Sequence, residues 1–192
     1  MTETHVVAIC GSQRDGSYTR KSLRIALDAA ADAGASTELL DLREWELPVY
    51  DADDDSAGDA GSFRERVRTA DSVLLGTPVY HGSFSAPLKN ALDYCGFDEF
   101  EQTTIGLLAV AGGRFPITAL EQLRTVGRSL DAWVIPHQVA IPRASGVYQD
   151  GELVEPELRE LIEVLGQEAV QYAHIEPDPA SFESGENVGA DD

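Results

Sequence analysis

The feature that most constrains the fold is a short apolar segment that runs into a glycine- and hydroxyl-rich loop and then into a helical pattern. The apolar segment covers residues 5–10, the loop covers residues 11–19, and the helical pattern begins near Arg20. A strand, a loop and a helix in this order are typical of an α/β sheet. Backbone N–H groups at the start of such a helix have no intrahelical partners and attract anions. We therefore expect the loop to bind an anion.

Two known phosphate-binding patterns do not fit this loop. Gly11 and Gly16 have the spacing of a P-loop, but Ser17 stands where the P-loop has lysine. Gln13 stands where the dinucleotide fingerprint has its second glycine. A nucleoside triphosphate and a tightly bound NAD are therefore both disfavoured at this loop.

The remaining residue types favour a single terminal phosphate. Ser12, Ser17 and Thr19 supply hydroxyl groups, and Arg14 supplies a cation. Hydroxyls and backbone amides without a P-loop lysine suit a phosphate monoester such as that of FMN. The alternative is an ordinary turn between a strand and a helix, in which serine and glycine serve the backbone alone.

The charge balance excludes two classes of partner. The chain has 34 acidic and 14 basic residues, and its formal net charge is -20. This field repels nucleic acid and anionic membrane surfaces, so we expect neither as a partner. Lysine occurs only at positions 21 and 89. Because molar salt screens self-repulsion, we infer a halophilic origin, with an acidic mesophile protein as the alternative.

The location expected from the sequence is cytoplasmic. The chain begins without a charged and then apolar leader, and no apolar run approaches the roughly 18 residues of a membrane span. Cys10 and Cys95 lack the spacing of a metal or redox motif. We expect buried thiols in a reducing compartment and no metal site.

Strand and helix patterns alternate along the chain, which predicts an open parallel sheet with right-handed crossovers. We expect one domain over residues 1–175 and an acidic, disordered tail over residues 176–192. A hairpin is expected over residues 147–154 because Asp150 and Gly151 form a turn pair. The predicted strands cover residues 5–10, 37–42, 72–77, 103–111 and 132–141, the last broken at Pro136.

Helical periodicity predicts five helices between and after these strands. The first helix begins at residue 18 or 19 and is expected to end at Gly34. The other four cover residues 62–70, 85–94, 117–130 and 158–172. The faces predicted to pack in the last two helices comprise Ile117, Leu120, Leu123, Gly127 and Leu130, and then Leu158, Leu161, Ile162, Leu165, Ala169 and Tyr172.

Three loops are expected to meet at the carboxyl edge of the sheet, where open α/β sheets bind ligands. They cover residues 11–19, 78–84 and 111–115. A flavin ring needs backbone donors at its polar edge and close backbone approach to its face. We expect Pro78 to fix a turn, Gly82 to permit that approach, and Tyr80 or Phe84 to cover the ring.

Two segments carry a resemblance to a known family. They are GSQRDGS at residues 11–17 and TPVYHGSFSAPLKNALD at residues 77–93. On these motifs, and over roughly residues 5–173, the chain resembles the NADPH-dependent FMN reductase family of flavodoxin-like proteins. The resemblance implies a doubly wound sheet of five parallel strands in the order 2-1-3-4-5, with helices on both faces.

The resemblance also implies a function. Members of this family use NAD(P)H and bound FMN to reduce small acceptors such as quinones, azo compounds, free flavin or chromate, a metal oxyanion, and they form homodimers or homotetramers. Arg114 is a further candidate beside the polar edge of the ring. The residues implied to bind FMN are Ser12, Arg14, Ser17, Thr19, Pro78, Val79, Tyr80, His81, Gly82, Ser83, Gly112 and Gly113.

No catalytic pair is needed for this chemistry, because hydride transfer is a property of the flavin itself. His81 is a candidate proton donor, and a loop histidine that only bonds the backbone is the alternative. Two rival functions remain open. One is a non-enzymatic FMN electron carrier, and the other is an interaction module that responds to FMN occupancy.

Overall fold

The computed structural model describes residues 3–175 of the 192-residue chain. Five strands form one sheet in the order β2-β1-β3-β4-β5, and every neighbouring pair is parallel. This confirms the predicted fold and strand order. The predicted tail over residues 176–192 lies outside the described residues. The strands are β1 (His5–Cys10), β2 (Ser36–Asp41), β3 (Ser72–Pro78), β4 (Thr104–Val110) and β5 (Trp133–Ile141).

Helices connect these strands and cover both faces of the sheet. None of the helices in residues 3–175 is long and apolar enough to cross a membrane. A small hairpin of β6 (Tyr148–Gln149) and β7 (Glu152–Leu153) follows the sheet. The helices are α1 (Tyr18–Asp32), α2 (Ala60–Arg68), α3 (Ala86–Asp93), α4 (Phe97–Phe100), α5 (Ile117–Ser129), α6 (Ala144–Val147) and α7 (Pro156–Gln171).

The core consists of two apolar layers, one on each face of the sheet. Leu23 of α1 and Leu165 of α7 lie in one layer, and Phe63 of α2 and Leu120 of α5 lie in the other. All residues of β3 and β4 are buried, as apolar central strands of a parallel sheet should be. The predicted thiols, Cys10 and Cys95, are both free and buried.

The position of α1 is fixed by close backbone packing against α7. A Cβ atom at Gly166 would lie 1.9 Å from the carbonyl oxygen of Ala26, so only glycine permits this approach. Gly34 follows α1 with φ of +94°, which glycine adopts without strain. Since α1 begins at the predicted anion loop, this packing also places that loop.

Two predicted packing faces differ from the observed ones. Ile117 is 44% exposed and Leu161 is 48% exposed, while Ala119 is fully buried. Ile117 is the first residue of α5, which begins at the carboxyl edge of the sheet. The later turns of α5 pack on the strands, whereas Ile117 lies past the ends of these strands. The remaining buried residues of α5 include Leu120, Leu123 and Gly127, as predicted.

The predicted break at Pro136 is an irregularity within a continuous strand. Ile105 pairs with Val134 and Leu107 pairs with Gln138, so β5 contains two extra residues at this point. Pro136 has no N–H group to donate to the ladder, and β5 is an edge strand where such an irregularity is tolerated.

Two short helices, α4 and α6, were not predicted because four residues carry no readable period. Glu99 organises the first of them, since its buried carboxylate accepts hydrogen bonds from the Gly96 N–H at 2.8 Å and from Arg64 and Arg68 at 3.2 Å. Burial favours a higher pKa for Glu99, but the Gly96 N–H bond and the two arginines outweigh it and lower the pKa below its usual value.

Candidate functional site

A cleft of about 150 Å³ lies at the carboxyl edge of the sheet. The loops after β1, β3 and β4 line it, as predicted, and so does the segment after β5 that includes α6. The carboxyl ends of parallel strands lie at one edge, and the order of the strands reverses beside β1 and β3. The cleft therefore occupies the position where sheets of this type bind ligands.

The structure brings most of the predicted site residues together. Four of them lie in the same loops but outside the lining of the cleft, namely His81, Gly82, Ser83 and Gly113. The eight that line the cleft are Ser12, Arg14, Ser17, Thr19, Pro78, Val79, Tyr80 and Gly112.

The start of α1 supplies hydrogen-bond donors to the cleft. Ser17 is the N-cap residue, and its Oγ accepts a hydrogen bond from the Arg20 N–H at 3.1 Å. No acceptor among residues 3–175 pairs with the backbone N–H of Tyr18 or Thr19. Ser12 and Thr19 are each 2% exposed, and both line the cleft. These amides and hydroxyls, at the positive end of a 15-residue helix, are suited to an anion.

Arg20 fixes the shape of the loop from beneath. Its side chain is buried, and it donates hydrogen bonds to the carbonyl oxygens of Ser12 at 3.5 Å, Asp15 at 3.0 Å and Arg14 at 3.1 Å. Because one guanidinium binds these three carbonyl groups, they all face the inner side of the loop. Sequence reasoning missed this residue, because an arginine in the first turn of a helix carries no distinctive pattern.

The charge of Arg20 is balanced by Asp41 at the end of β2. Arg20 Nε donates to Asp41 Oδ2 at 2.6 Å, and Arg43 also donates to this carboxylate, with Nη2 at 2.7 Å. Burial favours a higher pKa for Asp41, but the hydrogen bonds from Arg43 and Arg20 outweigh it and lower the pKa below its ordinary value. The second strand is thereby tied to the loop that follows the first.

Close backbone packing joins the anion loop to α3. A Cβ atom at Gly11 would lie 2.6 Å from Ser85 Oγ and 2.8 Å from Leu88 Cβ. Ser85 caps α3 and donates a hydrogen bond to the Gly11 carbonyl at 2.7 Å, and its own N–H donates to Thr77 Oγ1 at 2.9 Å. Only glycine at position 11 therefore permits this contact with the segment at residues 77–93.

The loop after β3 forms a two-residue turn. The N–H groups of Tyr80 and Ser83 donate to each other's carbonyl oxygen at 3.1 and 3.0 Å. His81 and Gly82 both have positive φ, at 51° and 80°, as a type I′ turn requires. Pro78 is the last residue of β3 and not part of this turn, which corrects the expectation that it fixes a turn.

His81 is exposed, and within residues 3–175 its ring makes no hydrogen bond, so its predicted role stays a prediction. No group of three or more His, Cys, Asp or Glu side chains in the described part of the chain is arranged to hold a metal ion.

The loop after β4 leaves open space above the cleft. Gly112 and Gly113 are exposed, and a Cβ atom at either position would meet no heavy atom within 4 Å. The Gly113 carbonyl accepts a hydrogen bond from the Arg143 N–H at 2.8 Å, and the Ala111 carbonyl accepts one from the Ala144 N–H at 3.0 Å. The segment after β5 is thereby attached to this loop.

Sequence reasoning overlooked the contribution of that last segment. The strand order itself contains the missing signal, because it also places the carboxyl end of β5 at this edge. The lining residues that were not predicted are Tyr18, Val110, Ala144 and Ser145.

The sequence and fold match known proteins. Residues 4–146 match the model of a family described as NADPH-dependent FMN reductase. An FMN-dependent NADPH-azoreductase of Staphylococcus haemolyticus is 33% identical over 138 residues, which cover 69% of this chain and 73% of the relative. An enzyme of the same description from Staphylococcus aureus has the same identity and coverage.

Solved structures share the fold at low sequence identity. The flavoenzyme NAD(P)H:(acceptor) oxidoreductase of Paracoccus denitrificans superposes with a TM-score of 0.74 at 19% identity, covering 88% of this chain and 97% of that one. An NADH:FMN oxidoreductase in its apo form has a TM-score of 0.68 at 21% identity, covering 86% and 89% of the two chains. These likenesses support the α/β fold.

The ion pair between Arg20 and Asp41 predicts an acid-sensitive stability. Because the pKa of Asp41 is lowered by folding, its ionised form stabilises the protein above the ordinary carboxyl pKa of about 4. This contribution is lost as pH falls through the lowered folded-state pKa. Asp41→Asn should lower the free energy of unfolding at pH 7 by about 3–5 kcal/mol and flatten this acid dependence, as measured by urea unfolding.

Asp93→Asn is the matched control for this measurement. Asp93 pairs with Lys89 one helical turn away, and its side chain is 36% exposed. Its loss should cost at most about 1 kcal/mol. Equal losses in the two variants would contradict a special role for the buried pair.

Proposed function

The chain belongs to the NADPH-dependent FMN reductase family, and from this premise we propose that it is an FMN-dependent NAD(P)H oxidoreductase acting on a small acceptor. FMN supplies the hydride chemistry between the nicotinamide and the acceptor. The protein's part is to hold the flavin nucleotide, orient it, and leave one face of it accessible.

The observation that carries the proposal is the donor set at the start of α1. One cleft is surrounded by two N–H groups that have no acceptor among residues 3–175, by two hydroxyls and by one guanidinium. They belong to Tyr18 and Thr19, to Ser12 and Ser17, and to Arg14. A phosphate monoester has acceptor oxygens and no donors when fully ionised, so this set fits it. We propose that Ser12, Arg14, Ser17 and Thr19 hold the phosphate of FMN.

The size of the cleft supports an open site for the rest of the cofactor. A volume of about 150 Å³ is below the roughly 300–1,000 Å³ of pockets that enclose a whole ligand of drug size. Part of a flavin nucleotide would therefore fill the cleft, and the rest would extend from it onto the exposed loops that border it. The residues proposed to meet its chain and ring are Pro78, Val79, Tyr80, His81, Gly82, Ser83, Gly112 and Gly113.

Exposed aromatic side chains flank the open part of the site. Tyr80 is 51% exposed and Phe115 is 71% exposed, in the loops after β3 and β4. Planar aromatic acceptors stack favourably on such rings. We propose that the acceptor is a small planar molecule such as a quinone, an azo compound or free flavin, with a metal oxyanion as the less favoured class.

An absorption spectrum tests the function against the electron-carrier alternative. The full-length protein is loaded with FMN in molar KCl, freed of excess flavin, and mixed without oxygen with NADPH or NADH. An enzyme should retain the visible flavin band and lose it rapidly on addition of one or both nucleotides. A retained band that neither nucleotide bleaches would favour the carrier, and no retained band would contradict FMN binding.

Arg14→Ala should weaken FMN binding by about 1.5–3 kcal/mol, because it removes a charge-assisted hydrogen bond to the phosphate. This corresponds to a rise in dissociation constant of about 10- to 150-fold, measured by flavin fluorescence. Arg24→Ala is the control, since Arg24 is an exposed residue of α1 that does not line the cleft. An unchanged dissociation constant for Arg14→Ala would place the phosphate elsewhere.

The halophilic origin, the cytoplasmic location and a homodimeric or homotetrameric state remain proposals. The first is supported by 34 acidic residues against 14 basic ones. The mutual repulsion of these acidic residues should be screened in molar salt, where the Debye length falls to about 3 Å. Thermal melts from 0.05 M to about 3 M KCl should therefore show a rising melting temperature, and a temperature indifferent to salt would contradict halophily.

A further inference from the structure

A two-stranded hairpin packs against the first turn of α1, beside the cleft. Its strands, β6 and β7, are antiparallel, and Tyr148 pairs with Leu153. Asp150 and Gly151 form the turn with φ of 49° and 86°. The region that matches the family model ends at residue 146, before this hairpin.

Tyr148 makes the main contact with α1. Its ring stacks on that of Tyr18 with centroids 4.4 Å apart and an angle of 21° between the planes. Its hydroxyl lies 2.6 Å from Ser22 Oγ, which itself donates to the Tyr18 carbonyl at 2.9 Å. The Tyr148 hydroxyl also lies 3.5 Å from the Tyr18 carbonyl, so the two hydroxyls and this carbonyl form one small hydrogen-bond network. Tyr148 and Ser22 are buried, at 4% and 0% exposure.

A second bond and an apolar contact keep the hairpin in place. Lys21 Nζ donates to the Gly151 carbonyl at 2.6 Å, so the turn of the hairpin is also attached to α1. Leu153 is 7% exposed and belongs to the core layer that contains Leu23 and Leu165. The hairpin is therefore a fixed support and not a free surface turn.

Tyr148 is linked to the cleft in two ways, through its contact with Tyr18 and through α6, which precedes it in the chain. Tyr18 lines the cleft, and its N–H is one of the unpaired donors at the start of α1. Tyr148 also follows α6 directly, and Ala144 and Ser145 of that helix line the cleft. One buried side chain thus connects the helix that bears the donors with the segment after β5.

We propose that Tyr148 is a positioning residue that holds the first turn of α1 where it binds the phosphate of a flavin nucleotide. The proposal rests on the proposed function, because it assumes that the cleft holds that phosphate. Tyr148 itself does not line the cleft. It acts through Ser22 and Tyr18, and its effect should be confined to ligands that carry the phosphate.

Tyr148→Phe tests this role, because it removes the hydroxyl and keeps the stacked ring. The loss of one hydrogen bond should raise the dissociation constant for FMN by about 2- to 12-fold. Riboflavin has the same ring and no phosphate, so its dissociation constant should stay within about two-fold. Both are measured by flavin fluorescence on the FMN-free, full-length protein in molar KCl, with the melting temperature recorded beside them.

Ser22→Ala removes the same link from the side of α1. Because Tyr148 and Ser22 belong to one hydrogen-bond network, the double variant should weaken FMN binding by less than the product of the two single-variant factors. Tyr94→Phe is the matched control. Tyr94 is also 4% exposed and donates to the Pro48 carbonyl at 3.0 Å, but it lies at the carboxyl end of α3. Its loss should leave the affinities for FMN and riboflavin unchanged.

The outcomes separate this inference from the proposed function. Three results would each overturn the positioning role. Tyr148→Phe could weaken the binding of FMN and riboflavin equally, or it could leave the FMN dissociation constant unchanged. The double variant could raise that constant by the full product of the two single-variant factors. A wild-type protein that binds neither flavin would instead overturn the proposed function. Phosphate-specific weakening would support the role of Tyr148, and a small fall in melting temperature is expected beside it because a buried hydrogen bond is lost.

Discussion

The loop after β1 depends on a buried guanidinium for its shape. Arg20 holds three carbonyl groups of the loop after β1, and Asp41 at the end of β2 neutralises its charge. A loop of this kind is normally shaped by solvent and is mobile. Here the carbonyl groups are turned inward by a cation that cannot lose its proton. The amides and hydroxyls of the same loop are therefore left to line the cleft, and contacts within the protein fix their positions.

Close backbone contact divides the site into a rigid part and an open part. Gly11 leaves no room for a Cβ atom beside Ser85, so the anion loop and the start of α3 hold each other. The glycines after β4 show the opposite case, since a side chain at Gly112 would meet only open space. Tight binding of a phosphate benefits from fixed donors, whereas exchange of small substrates benefits from an accessible face. The two ends of the site meet these different requirements.

The sequence predicted what depends on local pattern. Apolar runs and helical periods were sufficient for the five strands and the main helices, and the pair Asp150 and Gly151 was sufficient for the hairpin turn. Hydroxyls in a strand-to-helix loop were sufficient to find the cleft. Contacts between distant segments could not be predicted in this way. Nothing local marks Arg20 as the partner of Asp41, or Tyr148 as a neighbour of Tyr18, and the exposure of Ile117 depends on where the sheet ends.

The strongly acidic composition of the chain and the proposed anion-binding role of the cleft are compatible because the two act over different distances. A net charge of -20 repels an anionic nucleotide over about 10 Å at 0.1 M salt, and over only about 3 Å in molar salt. Arg14, Arg114 and Arg143 lie in loops at the carboxyl edge, and within residues 3–175 none of them forms an ion pair with a side chain. Hydrogen bonds to the amides that line the cleft act at donor–acceptor distances of about 2.7–3.2 Å, where the two groups touch and no ion lies between them. Salt that screens the charge of the chain would therefore weaken the repulsion of an anionic ligand, while the donors inside the cleft would keep most of their strength.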